Sequence, residues 1–176
     1  MERLETPRLI LLPFTLELKQ VTLSERARLP ELLGVAIPDT WPGADLQEAL
    51  PSFIEAMEQD PTGRVWDGII LHKADQVAIG GIGFHGPPDE AVRVEIGYNI
   101  IPAYKGQGYA TEMARRVIDW AFQMPGIQLI TAECLDDNIG SIRVLEKVGM
   151  RRLAAEGHTL EWELHRSPVD PNLQAG

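Results

Sequence analysis

The chain has 176 residues, one cysteine and 16 Lys and Arg against 26 Asp and Glu, for a formal net charge of −10. That length predicts one domain, over residues 1–166, whose core needs no staple; the lone Cys134 has no internal disulfide partner, and four scattered histidines without clustered cysteines predict no metal. The acidic balance excludes a protein built to grip nucleic acid, no run nears the roughly 20 apolar residues of a membrane span, and an opening charged at Glu2, Arg3, Glu5 and Arg8 does not fit a signal peptide, so a cytoplasmic monomer or homodimer is expected.

In chain order, RLILLPF from Arg8 to Phe14 predicts the first strand, and Leu16 to Leu29 a helix. VAIPDTWPGADL, with two prolines and a glycine, predicts a loop, followed by a helix from about Asp45 to Glu58. VWDGIILH and QVAIGGIGFH predict a hairpin turning at Lys73 to Asp75, and GPPDE is a further turn. AVRVEIGYNII alternates: Val92, Val94, Ile96, Tyr98 and Ile100 face one way, while Arg93, Glu95, Gly97 and Asn99 form a polar face. After KGQGY, the positions Ala110, Met113, Ala114, Val117, Ile118, Ala121 and Phe122 repeat at helical spacing. A strand follows in QLITAECL, then a short helix that Asn138 caps and Gly149 ends, then strands from about Arg151 to Ala155 and Thr159 to His165. The polar tail, residues 167–176, is expected to be disordered. Strand, helix, strand from Val92 to Leu135 is a crossover unit, so the sheet of this α/β (α+β) fold is mixed, parallel there and elsewhere free to be antiparallel.

Three glycine patterns compete for a phosphate-binding role. Gly81, Gly83 and Gly86 spell G-x-G-x-x-G, but Pro87 and Pro88 forbid the helix that such a turn must open, leaving close backbone packing as their meaning. A dinucleotide-binding reading of Gly106 and Gly108, with Glu133 as the ribose-binding acid, meets Thr111 where a third glycine or alanine belongs. The third reading is KGQGYA itself. A helix start leaves about four amides unbonded and carries about half a positive charge, and Gly106 and Gly108 remove the Cβ atoms that would hold a phosphate off, although the same glycines could simply make a turn.

Lys105-Gly106-Gln107-Gly108-Tyr109-Ala110 resembles the [QR]-x-x-G-x-[GA] loop of the GCN5-related N-acetyltransferases (GNAT). RVEIGYNIIPAYKGQGYATEMARRVIDWAF, DDNIGSIRVLEKVGM and the opening ETPRLILLPF are similar to the RimJ/RimL-like branch, and together span most of Thr6 to Leu164. Lys105 departs from the usual Arg or Gln, keeping charge without the guanidinium fork. The resemblance implies a GNAT-like fold with a partly splayed sheet flanked by helices, and acetyl-CoA as co-substrate. The backbone of Ile96, Gly97, Tyr98 and Asn99 would pair with the pantetheine arm, the amides of Gln107, Gly108, Tyr109 and Ala110 would hold the pyrophosphate, and Asn138 and Ser141 would contact the cofactor.

Acyl transfer to an amine needs a base and support for the departing thiolate. By resemblance Glu133 and Glu95 are the candidate bases, each equally able to be an ordinary strand carboxylate. Many relatives place a thiolate-supporting tyrosine where this chain has Leu145, which leaves Ser141 as the candidate; Cys134 as an acyl carrier has no histidine near it in sequence. The resemblance therefore implies an N-acetyltransferase acting on a primary amine, either a protein N-terminal α-amine or a small polyamine or aminoglycoside, by direct attack in a ternary complex. A binding module that keeps the acyl-CoA cleft without turnover is the alternative of another class.

Overall fold

The computed structural model describes residues 1–60 and 63–167; of the tail, all but Ser167 lies outside the described residues. Its strands are β1 (Leu4–Glu5), β2 (Leu9–Pro13), β3 (Asp67–His72), β4 (Val77–Phe84), β5 (Arg93–Ile100), β6 (Leu129–Leu135), β7 (Arg151–Glu156) and β8 (Thr159–His165). Its helices are α1 (Leu16–Ser24), α2 (Leu29–Leu33), α3 (Ala44–Gln59), α4 (Tyr109–Gln123) and α5 (Ile139–Lys147). The strands join in the order β1-β2-β3-β4-β5-β6-β8-β7. Every neighbouring pair is antiparallel except β5 and β6, which the α4 crossover makes parallel.

The one parallel junction between strands is short. Arg93, Val94 and Glu95 pair with Leu129, Ile130 and Thr131, and there the pairing stops although both strands run on for four residues or more. The sheet is splayed from that point. Past it the β5 backbone keeps its bonds to β4, through Ile96 to Ile100, and turns an unpaired edge toward β6.

Alternation decides which helix covers which face. Phe84 stacks with Trp120 of α4 at 6.4 Å between ring centroids, and Phe84 lies opposite Ile96 in register, so α4 covers the Val94, Ile96 and Ile100 side of β5. Gly81, paired with Asn99, lies 3.4 Å from Leu46 of α3 measured from where its Cβ would stand, so α3 covers the polar side of β5. Met113, Val117 and Ala121 on α4 are fully buried, as the predicted stripe requires. A β-carbon on Gly83 would stand 2.3 Å from Asp67 Cα, so this glycine of the G-x-G-x-x-G triplet serves close strand packing, whereas one on Gly86, beyond β4, would meet nothing within 4 Å.

Several predicted boundaries move. The helix expected over residues 16–29 ends at Ser24: Ser24 Oγ bonds back to the Gln20 carbonyl, Glu25 leaves helical geometry at φ −138°, and Pro30 opens the separate α2. Residues 4–5 pair as an edge strand that the sequence reading missed, because two residues carry no periodicity. Val92 is no part of the β5 apolar face; its φ is +56° and it is exposed, held in a turn by the bond from its own amide to the Asp89 carbonyl.

Candidate active site

The glycine loop sits where α4 begins. Gly106 and Gly108 have φ of +77° and +83°, and Gly108 is the residue that precedes the first turn of α4 with no side chain capping it. L-residues with a β-carbon rarely adopt that conformation. A β-carbon at Gly106 would meet nothing within 4 Å, and Lys105, Gly106, Gln107 and Gly108 are all exposed. An uncapped helix start without a side-chain screen is open to an anion. These residues fit the diphosphate of a coenzyme A thioester.

Behind the loop stands Arg8, which the sequence reading placed only at the start of a strand. Its Nη1 donates to the Gln107 carbonyl at 3.1 Å, its Nε lies 2.6 Å from Glu112 Oε2, and its guanidinium carbon is 4.3 Å above the Tyr109 ring. Thr6 Oγ1 and the Arg8 amide also donate to Glu112. Burial pushes the Glu112 carboxyl up, but the bonds from Thr6 and Arg8 outweigh it and hold the group below the usual carboxylate range. The Tyr109 hydroxyl donates to Gln107 Oε1 at 3.3 Å. Gln107, Gly108 and Tyr109 are thus braced from the turn between β1 and β2, while Ala110 is half-buried in the first turn of α4.

Across the splay, α5 begins. Asn138 is its cap, accepting from the Ser141 amide at 3.1 Å. Tyr98 reaches over from β5: its hydroxyl donates to the Ser141 carbonyl at 3.3 Å and accepts from Ser141 Oγ at 3.1 Å. Burial lifts the Tyr98 phenol to about 12, so it is protonated at neutral pH. Tyr98 was expected to act through its backbone alone; the alternation of β5 holds the signal for its phenol, which lies on the α4 side. Leu145 is buried, so no hydroxyl stands at its position. Cys134 is buried and free.

On the opposite face of the sheet, two cavities flank β5. One, of about 220 Å³, lies between α3 and the sheet and is lined by Trp41, Leu46, Phe53, Asp67 and the glycines of β4. The other, of about 480 Å³, is lined by Asp89, Arg93, Glu95, Glu133, Glu161 and Glu163. The register explains this concentration of carboxylates: Glu95 lies opposite Thr131, two residues before Glu133, and Glu133 lies directly opposite Glu161, so all three share one face. Glu95 and Glu133 are therefore brought to one cavity. Asn99 is not free to meet a ligand with its side chain: Oδ1 accepts from the Gly81 amide at 2.9 Å and Nδ2 donates to the Pro42 carbonyl. Gly97 lies under the His85 ring, and His85 borders both cavities. Among the described residues no group of His, Cys, Asp and Glu could hold a metal, and no helix is long and apolar enough to cross a membrane.

A mixed sheet that splays beside an uncapped glycine-led helix start fits the acyltransferase class that the sequence motifs resemble. Residues 8–151 match the Acetyltransferase (GNAT) domain, and the chain belongs to that family. It is 35% identical over 147 residues to the uncharacterized N-acetyltransferase YjdG of Bacillus subtilis, covering 83% of this chain and 88% of that protein. Among solved structures, the ribosomal-protein-S5-alanine acetyltransferase of Vibrio fischeri superposes with a TM-score of 0.65 at 14% identity, over 97% of this chain and 100% of that one. The Microcin C7 self immunity acetyltransferase MccE, in complex with acetyl-CoA and AMP, gives a TM-score of 0.62 at 15% identity over 92% and 94%. These two likenesses are likenesses of fold. The protein is an N-acetyltransferase, and its family implies acetyl-CoA as donor.

Proposed function

We propose that this enzyme acetylates the free α-amine of a peptide or protein whose following residues are basic. The observation that carries the reading is the acidic cavity beside the splay, where Glu95, Glu133, Glu161 and Glu163 gather on one face with Arg93 as the cation among them. A cationic acceptor gains from that field at encounter, and a chain of net charge −10 extends it outward. The smaller, largely apolar cavity under α3 suits the first side chain of such a peptide. An α-amine, with an unperturbed pKa of about 8, also presents more neutral nucleophile at pH 7 than a lysine side chain. The fold likeness to a ribosomal-protein acetyltransferase is in keeping with this acceptor class.

In this reading the free β5 edge at Ile96, Gly97, Tyr98 and Asn99 pairs with the pantetheine arm. The amides of Gln107, Gly108, Tyr109 and Ala110 hold the diphosphate, with the Lys105 charge beside them. Asn138 and Ser141 border the arm from α5, and the Ser141 hydroxyl, in contact with the Tyr98 phenol, supports the departing thiolate. The proton of the incoming ammonium leaves toward the carboxylate face that Glu95 and Glu133 share.

Thiol release from acetyl-CoA, measured against peptides, polyamines and aminoglycosides, tests the acceptor. A peptide with a free N-terminus and basic residues downstream is expected to react, mass spectrometry placing the acetyl group on its α-nitrogen, and its KM should rise with salt as screening shortens the field. Acetylation confined to lysine side chains or to small amines would overturn the acceptor class.

A further inference from the structure

We infer that His85 is the base that deprotonates the acceptor amine, with Glu95 holding its ring; this rests on the N-acetyltransferase reading of the site and names a residue that the carboxylate candidates leave out. His85 follows the last residue of β4, and its amide donates to the Glu95 carbonyl at 3.0 Å, which continues the β4–β5 ladder by one residue and fixes where the side chain emerges. Nδ1 lies 3.2 Å from Glu95 Oε1. Nε2 lies 2.8 Å from where a β-carbon on Gly97 would stand, so only a glycine leaves the ring its place over β5. Gly97 comes two residues after Glu95, the last residue paired to β6, so the ring stands over the fork of the splayed sheet. The same ring is the boundary between the apolar cavity under α3 and the acidic cavity under β6 and β8. Its side chain is 56% exposed, open to an acceptor entering from either.

The chemistry follows from that placement. A neutral imidazole carries one proton, and the negative charge of a carboxylate at ion-pair distance, 3.2 Å from Nδ1, favours it there. Nε2 is then the atom with the lone pair, and it is the atom over the fork. It takes one proton from the acceptor ammonium; the freed nitrogen lone pair forms a C–N bond to the thioester carbonyl carbon. The C–S bond then breaks, its electron pair leaving on sulfur. The nitrogen sheds its second proton, the thiolate takes up one, and the whole reaction releases one proton. Glu95 acts through His85 and is a positioning residue. Glu133, two residues past the last position of β6 paired to β5 and opposite Glu161, has no such partner among the described residues and serves the field of the cavity.

The test begins with acetyl transfer by the wild-type enzyme to whichever amine it accepts, so that loss of the acceptor class and loss of the base are separate results. In His85→Ala, kcat on an acceptor that is an ammonium at pH 7 should fall about 10² to 10⁴-fold, with KM for acetyl-CoA within about twofold. Added imidazole should restore part of it, and an acceptor already neutral at pH 7, such as hydroxylamine, should lose far less. Glu133→Gln, which weakens the field of the cavity, should raise KM for a cationic acceptor and lower kcat far less than His85→Ala does. Independently of turnover, ¹⁵N spectra of the imidazole in the free protein should show the Nδ1–H tautomer, shifting toward Nε2–H in Glu95→Gln. Equal loss on both acceptors, no response to imidazole, a base-sized loss in Glu133→Gln, or an Nε2–H ring in the wild type would each overturn the assignment.

Discussion

Arg8 Nη1 donates to the carbonyl of Gln107 at 3.1 Å, and so the bend that leads into β2 holds the loop that opens α4. The same guanidinium meets Glu112 one turn into that helix, at 2.6 Å. A loop held at both sides is preorganised, and it need not be ordered by its ligand.

Arg8→Ala should therefore raise KM for acetyl-CoA roughly tenfold, in line with the about 1.5–3 kcal/mol of a hydrogen bond to a charged group discounted for exposure. The kcat at saturation should change little. Arg8→Lys should recover only part of the affinity, since an ammonium cannot reach both Gln107 and Glu112 with a fork. Steady-state kinetics with the donor varied would check this; an unchanged KM in Arg8→Ala would detach the brace from the cradle.

Gly108→Val forces a β-branched residue to φ +83° at the helix start. The wild-type protein with acetyl-CoA at 100 times its dissociation constant should gain about 2.7 kcal/mol, read as a rise in melting temperature. The variant should lose that rise while its free form keeps its far-ultraviolet circular dichroism. A variant that still responds to acetyl-CoA as the wild type does would place the diphosphate elsewhere.

Tyr98 sets an alkaline limit. Its phenol is lifted from 10.0 to about 12 by burial, so the folded state favours the protonated form. A group with a raised folded pKa contributes its full stability below the unfolded value and loses it as pH climbs through the folded one. Stability should accordingly decline between pH 10 and about 12, and Tyr98→Phe should flatten that part of the curve. Absorbance of tyrosinate at high pH, followed beside urea midpoints, reads both; ionisation of Tyr98 near its ordinary value would remove the effect.

Below the apolar cavity, Lys19 is fully buried with its Nζ 2.7 Å from Asp67 Oδ1 and 2.5 Å from the Phe14 carbonyl. Burial pushes the ammonium down and the Asp67 carboxyl up, and each partner opposes the shift of the other. Lys19→Met leaves a carboxyl in the wall of the cavity without its cation, and should cost about 3–5 kcal/mol. Lys19→Met with Asp67→Asn should be markedly less destabilised than the single change. A double-mutant cycle in urea gives the coupling directly; simple additivity would show that the pair contributes nothing together.

Much of this is legible in the sequence. The α4 stripe, the glycine pair before it and the Asn138 cap are patterns within about a dozen residues, and helix formation depends on contacts at that range. The alternation of β5 likewise named Glu95 and Gly97 as sharing a face. His85 escaped notice because its meaning lies in two partners, Glu95 and Gly97, at 10 and 12 residues' remove across a turn with two prolines. Tyr98 escaped because its partner Ser141 is 43 residues away.

The sequence by itself determined the family, the order of the longer elements, the phosphate-suited helix start and the acidity that bears on the acceptor, because composition and short-range spacing carry those properties. The tertiary structure alone decided that β5 and β6 pair for three residues and then part, that Arg8 stands behind Gln107, and that Glu95, Glu133 and Glu161 line one cavity with His85 at its edge. Each of these depends on strand register. Register follows from which faces are buried against α3 and α4, a property of the assembled core that no local stretch of the chain contains.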